Sequence, residues 1–191
     1  MAMILVVGAS GRLGNQVAHM LLAQGAPVRA MSRDVSRLAD LAGRGAELVT
    51  ADLRDPASLA RACEKVDRVV AAAHAFTGQG ENNPRSVDAA GNRHLIDACR
   101  TAGVRHFVFT SVHGARADHP LEFFRIKFHV EEYLRDSGLS HTILRPTAFM
   151  EFWATRVGQP IADKGRTTIF GRGINPVNFV SVVDVARFAL I

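Results

Sequence analysis

Met3-Ile4-Leu5-Val6-Val7-Gly8-Ala9-Ser10-Gly11-Arg12-Leu13-Gly14 is the stretch of chain that decides the fold. Its first five residues form a continuous apolar run, as expected of a strand covered on both faces. Glycines follow at G-x-x-G-x-x-G spacing. Beyond them Leu13, Val17, Met20 and Leu21 fall on one helical stripe that stops near Gly25. A strand, a glycine turn and a helix in that order make a site for a dinucleotide pyrophosphate. Gly8 permits the sharp turn, Gly11 lets backbone amides approach the phosphates, and Gly14 lets the helix pack against the strand. The helix N-terminus adds unpaired N–H groups and partial positive charge. No Gly-Lys-Ser/Thr follows, so this is not a Walker loop. The competing reading is a tight strand–helix turn without a ligand.

Outward from this turn, short β-rich runs alternate with helical patterns. Strands are expected at Val28–Met31, 47–51, 68–72, His106–Thr110 and His141–Leu144. Helices are expected around Val35–Arg44, Ala57–Lys65 (capped by Asp55-Pro56), Val87–Ala102 and Leu121–Asp136, with a polar loop over His74–Pro84. Repeated strand–helix units with short links predict an α/β doubly wound parallel sheet, a Rossmann fold, over residues 1–145. Residues 146–191 are less regular. They carry the aromatic-rich Pro146–Trp153, short strands at Thr167–Phe170 and Val177–Val180, and a helix from Val183 that stops at Ile191 uncapped. This segment is expected to be a small or truncated substrate-binding region, from a chain that once continued.

The 191 residues suit one domain, and with 48% hydrophobic and 21% charged residues the composition is ordinary for a globular protein. No run is long and apolar enough to cross a bilayer, and the start lacks the features of a signal peptide, so a cytoplasmic protein without a membrane partner is expected. The net charge of +5 comes from scattered arginines with no basic block, which argues against nucleic acid and fits a mildly basic surface that also attracts a phosphate-bearing cofactor. Cys63 and Cys99 read as reduced core thiols. They suggest neither a disulfide framework nor zinc, and no histidine pair has metal-ligand spacing, so no metal is expected.

Cofactor choice rests on the end of the second strand. A carboxylate there would hold the ribose 2′-hydroxyl of NAD; this chain has Met31-Ser32-Arg33. Arg33 offers a fixed fork to a 2′-phosphate and Ser32 a hydroxyl, with Arg12 in reach of the same region. NADP(H) is therefore favoured over NAD(H). Asp34 reads as a helix cap. Asp52-Leu53 suits either adenine contact or helix capping, and Ala72, at the end of the fourth strand, joins Gly8, Ser10, Gly11, Arg12, Leu13, Gly14, Ser32 and Arg33 as a candidate cofactor contact.

The chain resembles the atypical short-chain dehydrogenase/reductases, in particular the NmrA-like NAD(P)H-binding family. The matching residues are Val6–Gly14, Ser32-Arg33-Asp34, Asp52-Leu53, Phe107–Ser111, Leu144-Arg145-Pro146, Val177–Ser181 and Asp184-Val185-Ala186, in order over nearly the whole chain. The resemblance implies NADP(H) carriage, with reductases, quinone reductases and non-catalytic redox sensors among the relatives. Ordinary members of the wider group use a serine after the fifth strand and Tyr-x-x-x-Lys on the next helix, where the lysine lowers the phenol pKa. Here Ser111 is present, Lys127 is present, and the tyrosine slot holds Phe123. Phenylalanine has no proton to give.

As the resemblance implies, Lys127 is a candidate for the nicotinamide ribose; a surface lysine is the alternative. Ser111 either orients a carbonyl or ends its strand. Tyr133 reads as core. His74 and His113 follow strand ends on the ligand side, as replacement acids or as loop histidines. Phe149, Met150, Phe152 and Trp153 supply either an apolar wall for a flat acceptor, with Phe149 and Trp153 as the substrate candidates, or helix packing.

Without the tyrosine, a quinone or other conjugated acceptor is easier to reduce than an aliphatic ketone, because its anion is stable enough for water to protonate. Two functions follow. One is an NADPH-dependent oxidoreductase acting on a small-molecule acceptor, as a monomer or homodimer. The other is a non-catalytic NADP(H)-binding redox sensor. A sugar-nucleotide epimerase is disfavoured because it too would need the tyrosine.

Overall fold

The computed structural model of the chain describes residues 2–169, 172, 174, 176 and 177–190. Ile4–Val7 (β1) is wholly buried, and its side chains alternate between two cores. Leu5 and Val7 join one cluster, Ile4 and Val6 the other, as strand geometry requires of a sheet covered on both faces. The sheet adds Val28–Ser32 (β2), Glu47–Thr50 (β3), Arg68–Ala71 (β4), His106–Thr110 (β5) and His141–Leu144 (β6). Every pairing is parallel, and the order is β3-β2-β1-β4-β5-β6. The strand order therefore reverses between β1 and β4, which is where ligands bind in such sheets.

Arg12–Ala23 (α1) buries Leu13, Gly14, Val17, Ala18 and Leu21 as one stripe. A 3₁₀ turn at Val35–Leu38, capped by Asp34, leads into Ala39–Gly43 (α2) on the same face. Pro56–Ala62 (α3), Asn92–Ala102 (α4) and Glu122–Asp136 (α5) cover the opposite face with Leu59, Leu95, Cys99, Val130 and Leu134.

Three differences from the sequence expectation have local causes. α3 ends at Ala62, because Lys65 adopts a left-handed φ of 57° that a helix cannot include. The helix expected from Val87 starts earlier, as a π-helical turn over Pro84–Gly91. Asn83 caps that turn by accepting from Arg85 N and Ser86 N, with proline at the first position. The tail holds Ala148–Phe149 (β7), Met150–Trp153 (α6), a π turn at Ala154–Gly158, Gln159–Lys164 (α7), Phe179–Val180 (β8) and Val182–Phe188 (α8). β7 and β8 form a separate parallel pair. Thr167–Ile169 form no strand, while Phe170 and Ile191 lie outside the described residues.

α8 is not peripheral. Val182, Val185, Ala186 and Ala189 enter the cluster containing Ile4, Val6, Leu21 and Val108, so this helix packs beside α1 on the back of the sheet. Ser181 caps it, and Glu151 accepts from Val182 N and from the Ser181 hydroxyl. Among the described residues no helix is long and apolar enough to cross a membrane.

Candidate functional site

The carboxyl ends of β1, β2 and β4 make a cradle from backbone. Gly8 has φ 81°, and a Cβ there would lie 2.9 Å from the Ala73 backbone. A Cβ on Gly14 would lie 2.3 Å from the Gly8 carbonyl oxygen, so the start of α1 approaches β1 more closely than any side chain permits. Gly11 is the N-cap of α1 and supplies no side-chain cap, which leaves the first helical amides directed at the turn. Ala72 N donates to Val7 O at 3.0 Å and closes the other side. These are the features an anionic diphosphate requires.

Side chains from β2 meet this turn. The buried Ser32 hydroxyl donates to Ser10 Oγ at 3.2 Å and accepts from Asp34 N. Arg33 is exposed and reaches Asn82 Oδ1 at 2.8 Å, spanning from the end of β2 to the loop after β4. Arg12 goes elsewhere. Its guanidinium donates to Glu151 O at 2.7 Å and Thr155 Oγ1 at 3.3 Å, so it ties the glycine turn to the C-terminal segment instead of joining Arg33. Asp52 accepts hydrogen bonds from Nε and Nη2 of the Arg54 guanidinium, chiefly on that account its pKa lies below the ordinary carboxylate value, and α3 is capped by Asp55 instead. Leu53 is buried in the core, and its Cβ lies 2.7 Å from where a Gly91 Cβ would be.

The ends of β4 and β5 are built differently. On α5, Phe123, Lys127 and Glu131 follow at four-residue steps and share one face. Lys127 is buried, with Nζ 3.0 Å from Asp88 Oδ1 and 3.2 Å from Thr110 O. Asp88, fully buried on the π turn, accepts from Ala75 N through its other oxygen at 2.8 Å. The ammonium also lies 4.9 Å from the Phe109 ring centre and 5.5 Å from that of Phe123. The reading of Lys127 as a surface residue is therefore overturned. Asp88, its partner, had drawn no attention in the sequence, where it sits inside an unremarkable Ser-Val-Asp-Ala-Ala run.

One turn deeper, Glu131 is fully buried. It accepts from the Ser111 hydroxyl at 2.5 Å and from Arg135 at 3.1 Å, and it makes a two-pronged pair with Arg145. Burial raises the Glu131 pKa, but the bonds from Arg145 and Ser111 outweigh it and hold the group below the ordinary glutamate value. Ser111 has thus committed its only proton to a carboxylate inside the protein. Tyr133, expected in the core, is half-buried and packs against the core cluster, with its hydroxyl donating to Asp97 at 2.9 Å.

Phe123 packs on Phe76 at 4.7 Å between ring centres and meets the His74 ring edge-on at 6.5 Å. His74 is exposed on one side, and partial desolvation, with the Lys127 charge behind it, lowers its pKa. His113 is exposed. The C-terminal aromatics form their own group: Trp153 meets Phe152 at 5.9 Å and Phe179 at 6.4 Å, while Phe149 packs on the back core. Among the described residues no ring contact joins this group to Phe123.

A family model described as NAD(P)H-binding matches residues 8–190. The photosystem II assembly factor Ycf39 of Cyanophora paradoxa is 31% identical over 98% of this chain and 58% of its own length. The NAD(P)H azoreductase of Xenophilus azovorans is 32% identical over 98% of this chain and 62% of its own. An Escherichia coli NADPH-dependent quinone oxidoreductase, solved with NADPH, superposes with a TM-score of 0.78 at 25% identity, over 100% of this chain and 63% of that one. The chain thus spans about three-fifths of the length of these relatives.

Proposed function

This chain belongs to the NAD(P)H-binding family, and from that premise we propose that it is an NADPH-dependent reductase of a small conjugated acceptor such as a quinone. The cofactor fits the residues present: two glycines leave no room for a Cβ, and the uncapped start of α1 faces the turn. Gly8, Ser10, Gly11, Leu13 and Gly14 would hold the pyrophosphate, with Ala72 beside them. Ser32 and Arg33 would take the 2′-phosphate that distinguishes NADP(H) from NAD(H), Asp52 and Leu53 the adenine side, and Lys127 the nicotinamide ribose. When bound, the nicotinamide supplies a hydride.

The observation that carries the acceptor class is Phe123. It stands one helical turn before a buried lysine, walled by Phe76, and no phenol occupies its place. Partial desolvation and the Lys127 charge behind His74 disfavour its imidazolium form. A reduced aliphatic carbonyl leaves a strongly basic alkoxide that these residues cannot protonate. A reduced quinone leaves a stabilised anion that water can protonate. The Phe76 and Phe123 rings offer an apolar face for stacking and leave the site open to water. Trp153 would line the outer cleft, while Phe149 packs on the back core.

A second reading has its own support. Ser111 is bound to Glu131 and is not free to orient a carbonyl, and some relatives are assembly factors by name. Those facts favour an NADP(H)-binding sensor. NADPH oxidation measured against a panel of quinones, azo dyes and aliphatic aldehydes separates the two. Turnover with quinones or azo dyes and none with aldehydes is expected; tight NADPH binding without oxidation of any acceptor would leave the sensor. Phe123→Tyr is expected to add aldehyde reduction.

A further inference from the structure

Cys63 and Cys99 are 36 positions apart in sequence, yet their sulfurs lie 3.8 Å from one another. Both thiols are free and fully buried in the core cluster that α3 and α4 share with Leu59 and Leu95. We propose that the pair is a modification site, at which a hydroperoxide converts two thiols into a reversible disulfide joining the end of α3 to α4.

The surroundings make the two sulfurs unequal. Cys63 is the C-cap of α3, and the Arg29 guanidinium donates to Ala62 O at 2.8 Å and Glu64 O at 2.7 Å, the carbonyls flanking it. The hydrogen bond between the two thiols, with this cation nearby, holds Cys63 below the ordinary thiol value, while the same bond and burial push Cys99 well above it. Cys63 is accordingly the attacking sulfur and Cys99 the resolving one. The turn that follows Cys63 is the way in, since Glu64 and Lys65 are exposed and Lys65 has an unfavourable left-handed φ of 57°.

The chemistry closes without further reagents. The Cys63 thiolate attacks the peroxide; a sulfur–oxygen bond forms, the O–O bond breaks, and an alcohol (or water, from hydrogen peroxide) leaves with the thiol proton. Cys99 sulfur then attacks Cys63 sulfur; the S–S bond forms, the S–O bond breaks, and hydroxide leaves as water with the Cys99 proton. Two sulfurs are oxidised by one electron each and the peroxide is reduced by two. The sulfurs need to close by about 1.8 Å to reach disulfide length. The bridge would enclose β4 and the Pro84–Gly91 turn, and with them Asp88.

The test treats the reduced full chain with hydrogen peroxide. The expected result is an intact mass lower by two hydrogens, a fall from two titratable thiols to none after unfolding, a cross-linked 63–99 peptide and full reversal by dithiothreitol. Cys99→Ser should leave a sulfenic acid on Cys63 that dimedone traps, whereas Cys63→Ser should keep its one thiol. The proposal is overturned if both thiols of the wild-type chain persist, if oxygen is added without hydrogen loss, or if the cross-link runs between chains. These readouts need neither NADPH nor an acceptor, so they stand apart from the reductase reading.

Discussion

The two halves of the sheet's carboxyl edge solve different problems with different materials. Over β1 and β2 the site is mostly backbone: glycines without room for a side chain, helix amides and one serine contact. Over β4 and β5 it is charged side chains, buried Lys127 with buried Asp88, and buried Glu131 held by the exposed Arg145 and the Ser111 hydroxyl. A backbone site tolerates change wherever no Cβ is forced in. A buried charge tolerates almost none, because losing one partner strands the other without water. The half that resembles a generic nucleotide cradle should thus be the mechanically forgiving one.

The sharpest way to break this contrast is Asp88→Ala, which strands the Lys127 ammonium. A loss of about 3–5 kcal/mol in unfolding free energy is expected by urea denaturation, with part recovered in Asp88→Leu/Lys127→Met. A loss below about 1 kcal/mol would mean that the pair is not an ion pair. Gly14→Ala comes next. Its Cβ meets backbone, so a cost of about 1–3 kcal/mol is expected, together with loss of NADPH binding by calorimetry. Unchanged affinity would remove the cradle from the argument.

Arg33→Ala should leave stability unchanged and weaken NADPH by about 1.5 kcal/mol, roughly tenfold in Kd, while sparing NADH. Equal loss for both cofactors would refute its assignment to the 2′-phosphate. The gentlest probe is acid. Glu131 titrates below its ordinary value of 4.5 in the fold, so its network stabilises above that pH and fades as pH falls through the lower folded value. Urea midpoints taken from neutral pH down to about pH 3 should show that decline, and Glu131→Gln should flatten it. Parallel curves for both proteins would show that Glu131 carries no such linkage.

The same contrast explains what the sequence made readable. The cradle was legible because its requirements are local: Gly8, Gly11 and Gly14 stand within one turn, and the strand and helix around them announce themselves by apolar period. The parallel, doubly wound fold followed from the repeat of that unit. Asp88 was not legible, because its meaning depends on a lysine brought to it across the sheet edge by α5. Glu131 looked like one more helical glutamate, and Arg145 was noticed only as part of a family pattern. Arg12 was misdirected because the length of its side chain, not its position, decides its partner, and Glu151 arrives from the irregular tail. The tail itself carried too few periodic residues to reveal that α8 completes the back core.

The bond from Ser111 to Glu131 leaves one last consequence. A hydroxyl owns a single hydrogen, and here it points inward, so only lone pairs remain for any visitor. Whatever rests against that oxygen must bring its own hydrogen, as a carboxamide or a phenol does and a bare ketone does not.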